Sequence, residues 1–136
     1  MLRSDQTFIR NTPAAPAAAR RYVRETLTGV TRDVVDAVSL MVSELATNCV
    51  LHANSDFTMT IEQTGRHVRV DVADEGTGYV ATRHAGPAEI SGRGLSIVDR
   101  LSDTWGVTEY LDHVGKSVWF TVGIDAVVDA VVNASG

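Results

Sequence analysis

The chain has 136 residues, 44% of them hydrophobic and 21% charged, which is the balance of one folded domain able to bury its own core. Its formal net charge of −5 argues against any activity that depends on a broad basic surface, so no direct nucleic-acid partner is expected. A protein or small-molecule partner is the expectation instead.

The opening residues, Met1-Leu-Arg-Ser-Asp-Gln6, lack the basic start and apolar run of a signal peptide. No apolar stretch of about 18 residues is legible further on, so no membrane span and cytoplasmic residence are expected. Residues 7–11, Thr-Phe-Ile-Arg-Asn, read as a first strand. Residues 13–27 read as an Ala-rich helix, with Pro13 and Pro16 near its start, where a missing N–H costs nothing. Arg20, Arg21 and Arg24 fall on its solvated side.

The strongest helix spans residues 31–53, with Thr31 as N-cap and Val34, Val38, Met41, Val42, Leu45 and Cys49 on one apolar face. Cys49 is the single cysteine, which rules out an internal disulfide and suits a buried, inert thiol. At about 100° per residue, Glu44 and Asn48 lie about 40° apart on the shoulder of that face. Both therefore point into a cleft at the edge of the core.

Residues 57–62 and 68–73 alternate like strands and join through Gly65, an antiparallel hairpin whose second strand delivers Asp74. From Gly76 to Gly92, through Pro87, neither period persists and a functional loop is expected. A helix starts near Gly94 and runs through Leu95, Ile97, Val98 and Leu101. Strands at 105–110 and 117–124 follow, with a turn at 112–115, and residues 125–134 show a helical apolar repeat that frays. The two tryptophans and Phe120 lie in strand-like runs and are expected to pack. The predicted architecture is α+β: a single domain over 1–136, a two-layer α/β sandwich with helices on one face of a mostly antiparallel sheet.

Three patches carry chemistry. Gly92-Arg93-Gly94-Leu95 combines close glycines with a helix start, which leaves backbone N–H groups free to hold phosphate. It is not a Walker loop, because the only Gly-Lys-Ser, 115–117, has Leu111 where the first glycine belongs. Asp74, in Asp-x-Gly76-x-Gly78, suits a turn cap and equally an acceptor for the exocyclic amine of a base. Glu44 suits a rim carboxylate or a general base, and Asn48 offers a neutral oxygen for Mg²⁺. Cys49 and His52 make no zinc set, and His67, His84 and His113 are scattered.

In order and spacing these patches resemble the GHKL ATPase superfamily (gyrase, Hsp90, histidine kinases, MutL), and within it the small anti-sigma-factor serine/threonine kinases. Glu44-x-x-x-Asn48 looks like the N box, Asp74-x-Gly76-x-Gly78 the first glycine box, Gly92-x-Gly94 the second, and Gly115-Lys-Ser117-Val118 the last. The resemblance covers about residues 7–123 and leaves 124–136 as a tail. It implies a Bergerat-type ATP site in which Asn48 holds Mg²⁺, Asp74 binds adenine, Ser117 assists at the adenine end and residues 79–91 form a lid. Glu44 inherits the role of base toward a serine of an anti-sigma-factor antagonist, and Arg93 suits phosphate charge or plain surface. The implied partners are that antagonist and a sigma factor, with a homodimer as an option and no membrane. No phosphoacceptor helix pair or transducer domain is expected, so a complete sensor kinase is not. The alternative is a non-catalytic ATP/ADP-binding module whose nucleotide state controls a protein interface.

Overall fold

The computed structural model describes residues 2–75, 93–110 and 115–124. The expected loop with Gly76, Gly78 and Gly92, and the tail repeat at 125–134, lie outside the described residues. In chain order the elements are β1 (Arg3–Ile9), α1 (Ala15–Thr26), α2 (Arg32–Asn48), a π-helical turn (Cys49–Ala53), β2 (Phe57–Gln63), β3 (His67–Asp74), α3 (Arg93–Leu101), β4 (Thr104–Glu109) and β5 (Lys116–Gly123). The strands form one five-stranded sheet in the order β1-β2-β3-β5-β4 with every neighbouring pair antiparallel. This is the α+β sandwich expected.

Strand alternation decides which face is inside. Phe57, Met59 and Ile61 on β2, Val68, Val70 and Val72 on β3, and Val118, Phe120 and Val122 on β5 are buried against the helices. Each fully buried side chain of this kind contributes roughly 1.5–3 kcal/mol. From the helical layer come Ala19 and Val23 of α1, Val38, Met41, Val42 and Leu45 of α2, and Leu95 and Val98 of α3. The opposite face carries Thr58, Arg69, Asp71, Ser117 and Trp119, with the Arg69 guanidinium 4.5 Å from the centre of the Trp119 ring. Gly106 pairs with Trp119 across the sheet, and a β-carbon there would meet the indole at 2.8 Å.

Three expectations are corrected. β1 begins at Arg3 and ends at Ile9, because it pairs along the whole of β2 from Arg3↔Gln63 to Ile9↔Phe57. Its polar first half is that of an exposed edge strand, so it shows no apolar alternation. The strongest helix is α-helical only to Asn48; Cys49–Ala53 is a π turn, closed by Asn54 at φ 51°. Arg32–Ala53 is also long and apolar enough, by length and composition, to cross a membrane. Within the fold its apolar face is committed to the core through Val34, Val38, Met41, Val42, Leu45 and Ala46.

Candidate functional site

Asp74 is the last residue of β3, and the pleat that turns Val70 and Val72 inward turns Asp74 inward too, where it is 2% exposed. The register of β5 sets Lys116 directly opposite it. Lys116 is in phase with Val118, Phe120 and Val122, so its stem runs inward and its Nζ meets Asp74 Oδ2 at 3.0 Å. A buried carboxylate and a buried ammonium thus stand side by side at one end of the sheet, each relieving the other's loss of water. Just before Lys116, Gly115 has φ +130°, and a β-carbon there would lie 2.3 Å from the Asp74 carbonyl oxygen. Only glycine allows the two backbones so close.

The end of α2 arrives at the same place. Cys49, first residue of the π turn, is buried, and burial pushes its thiol well above the usual range. The negative charge of Asp74 adds to that rise and the positive charge of Lys116 offsets part of it, so the thiol feels both members of the pair. Asn48 immediately precedes it, and Glu44 lies one turn earlier; both are half-buried on the shoulder of the helix. Beyond the turn, the Glu75 backbone N–H donates to Ser55 Oγ at 3.1 Å, tying the end of the π turn to the end of β3. Asn11 braces this loop from the other side, its N–H donating to Asp56 Oδ1 at 2.7 Å and its side chain to Asn54 Oδ1 at 3.0 Å.

The structure therefore brings Asn48 and Asp74 to one end of the fold, with Glu44 on the approach. It does not bring Ser117 there. One step along β5 from Lys116, Ser117 projects from the opposite face, where its hydroxyl donates to Asp71 Oδ1 at 3.3 Å. Tyr110 joins it: burial raises the phenol, the charges of Asp74, Asp71 and Glu75 raise it further, and its hydrogen bond with Ser117 lowers it. Lys116 is the residue sequence reading missed. The signal was the two-residue period itself, which counts back from Phe120 and Val118 to Lys116 and not to Ser117.

A cleft of about 430 Å³ at this end of the sheet has Asp74 in its lining, together with Phe8, Ser55, Thr58, Ala73, Glu75 and Tyr110 among others. α3 begins at Arg93, so Arg93 and Gly94 form its first turn, while Leu95 is buried in the core. The first backbone N–H groups of any helix have no partner within it, which suits an anion at this end.

Among the described residues no group of three or more His, Cys, Asp or Glu side chains could hold a metal ion. The donor at hand is the Asn48 carboxamide oxygen. A single neutral oxygen fits Mg²⁺ that arrives with a polyphosphate and keeps its waters, not a resident caged ion.

A family model of the histidine kinase-like ATPase domain matches residues 9–122. The chain belongs to this family. Membership implies an ATP site, and the convergence of α2, β3 and β5 is where this histidine kinase-like ATPase domain assembles its polar residues. In fold the domain is similar to the crystal structure of the RsbU and RsbW domains of Rv1364c from Mycobacterium tuberculosis, with a TM-score of 0.67 at 18% identity. That similarity covers 88% of this chain and 32% of the other, so the chain spans about a third of its length. No curated protein matches the sequence.

Proposed function

We propose that this ATPase domain is an anti-sigma-factor-type serine/threonine protein kinase, acting in the cytoplasm on an anti-sigma-factor antagonist and regulating a sigma factor by switching partners. The observation that carries the reading is Asp74, an inward carboxylate at 2% exposure beside the end of α2, where a base can be held by its exocyclic amine. Family membership supplies ATP, the motif order supplies the kinase class, and similarity to a structure that includes an RsbW domain agrees with it.

In this reading Asn48 would hold Mg²⁺ through its carboxamide oxygen, and the chemistry such an ion would supply there is neutralisation of phosphoryl charge. The free backbone N–H groups at the first turn of α3, Arg93 and Gly94, suit the phosphates, and Gly76, Gly78 and Gly92 are assigned to the nucleotide on the motif order alone. Glu44 accepts the proton of the substrate serine hydroxyl as its oxygen bonds to the γ-phosphorus. The bond from that phosphorus to the β–γ bridging oxygen breaks, and ADP leaves with the electron pair.

Transfer of labelled phosphate from ATP to candidate antagonist domains tests this. Wild type is expected to label a serine or threonine, and Glu44→Ala to lose labelling while ATP still raises the melting temperature. Tight ATP binding with no transfer to any partner, but a changed partner affinity, would instead establish the non-catalytic regulatory module.

A further inference from the structure

Among the described residues, helix α2 is packed on three sides and open on the fourth. It lies on the sheet, with α1 along one flank and α3 along the other. The open side carries Asp33, Asp36, Leu40, Glu44 and Thr47, whose spacings of three and four residues keep them within about 40° of Leu40. Leu51, on the π turn, follows eleven residues after Leu40, or about three turns. Arg20 of α1 closes one edge of this stripe, its Nη1 donating to Ser43 Oγ at 2.7 Å.

Leu40 is 45% exposed and Leu51 68%, while Glu44 and Thr47 between them are half-buried. A single exposed leucine needs no explanation. Two on one line, either side of the carboxylate assigned as base, form a row of apolar, acidic and apolar side chains, with the exposed Asp33 and Asp36 at its far end. We propose that this stripe is the docking surface for the protein substrate, and that it takes an extended segment whose apolar residues flank the acceptor serine or threonine, with basic residues beyond one of them.

The inference deepens the kinase reading and rests on Glu44 as its base. At about 1.5 Å per residue, Leu40 stands roughly 6 Å from Glu44 along the axis and Leu51 roughly 10 Å from it on the other side. An extended chain advances about 3.3 Å per residue, so with the acceptor hydroxyl at Glu44 the matching apolar residues lie about two positions away on one side and about three on the other. Asp36 and Asp33 lie roughly 6 and 10 Å beyond Leu40, which sets the basic residues past the nearer apolar one. Charge favours this occupant, because the ionisable side chains of the stripe itself, Asp33, Asp36 and Glu44, are all acids in a chain of net charge −5. The stripe is also continuous with the site, since Asn48 directly follows Thr47 and the π turn that carries Leu51 directly follows Asn48.

Transfer of labelled phosphate from ATP to synthetic peptides tests this. The probe has a serine with leucine two residues to one side and three to the other, and two lysines beyond the nearer leucine. It is made in both chain directions, with controls in which both leucines are serine or both lysines glutamate. Wild type is expected to label one direction of the probe with a KM about tenfold or more below that of either control. Leu40→Ser/Leu51→Ser is expected to raise that KM to the level of the leucine-free control while ATP still raises the melting temperature as in wild type, and Asp33→Lys/Asp36→Lys to favour the glutamate control. Equal KM values across the peptides, labelling of antagonist domains but of no peptide, or variants that leave the KM unchanged overturn the docking surface and leave the kinase standing. A dimer in sedimentation that the leucine variant dissociates with KM unchanged assigns the stripe to a second copy of the chain and overturns it likewise. ATP binding with no transfer to peptides or antagonist domains overturns the kinase reading and the docking surface together.

Discussion

Gly115 and Asp74 are packed backbone on backbone: a β-carbon on Gly115 would lie 2.3 Å from the Asp74 carbonyl oxygen and 3.0 Å from the Glu75 α-carbon. Its φ of +130° adds a second reason for glycine. Gly115→Ala is therefore expected to lower stability by roughly 1–3 kcal/mol from backbone strain, and more from the clash. It also displaces the inward carboxylate, so ATP affinity falls with it. Gly65 has open space around it, and Gly65→Ala is the matched control, expected to stay within about 0.5 kcal/mol in urea denaturation.

The buried pair predicts a non-additive cycle. Asp74→Asn removes the carboxylate charge beside the Lys116 ammonium and is expected to cost about 3–5 kcal/mol. Asp74→Asn with Lys116→Met removes both charges at similar volume and is expected to regain most of that loss. Denaturant midpoints of Asp74→Asn, Lys116→Met and the double variant measure the coupling directly.

α2 depends on its first turn. Thr31 Oγ1 accepts the backbone N–H of Val34 at 3.3 Å, and Asp33 places negative charge in the same turn. Thr31→Ala is expected to cost about 1 kcal/mol, as loss of an N-cap usually does. Thr31→Asp keeps an acceptor there and is expected to be nearly neutral in thermal melts.

Tyr22 makes alkaline stability pH-dependent. Burial, then its hydrogen bond to Asp5 at 2.7 Å and the charge of that carboxylate, push the phenol up to about 12 from 10.0, with Thr26 pulling the other way. Because the folded value lies above the unfolded one, the unfolded chain releases its proton first as pH rises. The stabilisation is fully present below pH 10.0 and is lost as pH climbs through about 12. Tyr22→Phe is expected to flatten this part of the stability profile, measured as urea midpoints across the alkaline range.

Much of the fold was legible because its signals are periodic. The apolar face of α2, the β2–β3 hairpin and the burial of Cys49 follow from residue spacing alone, as does the approach of Glu44 and Asn48 along one shoulder. The polar half of β1 was not legible, since an edge strand makes its backbone bonds without burying alternate side chains. Nor was the π turn, because one extra residue per turn leaves the apolar spacing of a helix nearly unchanged over five residues. At the site, the glycine-lysine-serine run drew the reading toward the hydroxyl of Ser117. The pleat of β5 settles instead which neighbour turns inward, and it is Lys116.

The stack of Arg69 on Trp119 has a practical consequence for measurement. The indole sits on β5, three residues along from Lys116, and the cation above its ring is anchored to β3, the strand that ends in Asp74. Any ligand that pries the two strands apart or draws them together at the inner face changes the distance between charge and chromophore on the outer one. The domain thus carries its own optical gauge: with Trp105 replaced by Phe, a change in Trp119 emission on titration reports the coupling of β3 and β5 without a label.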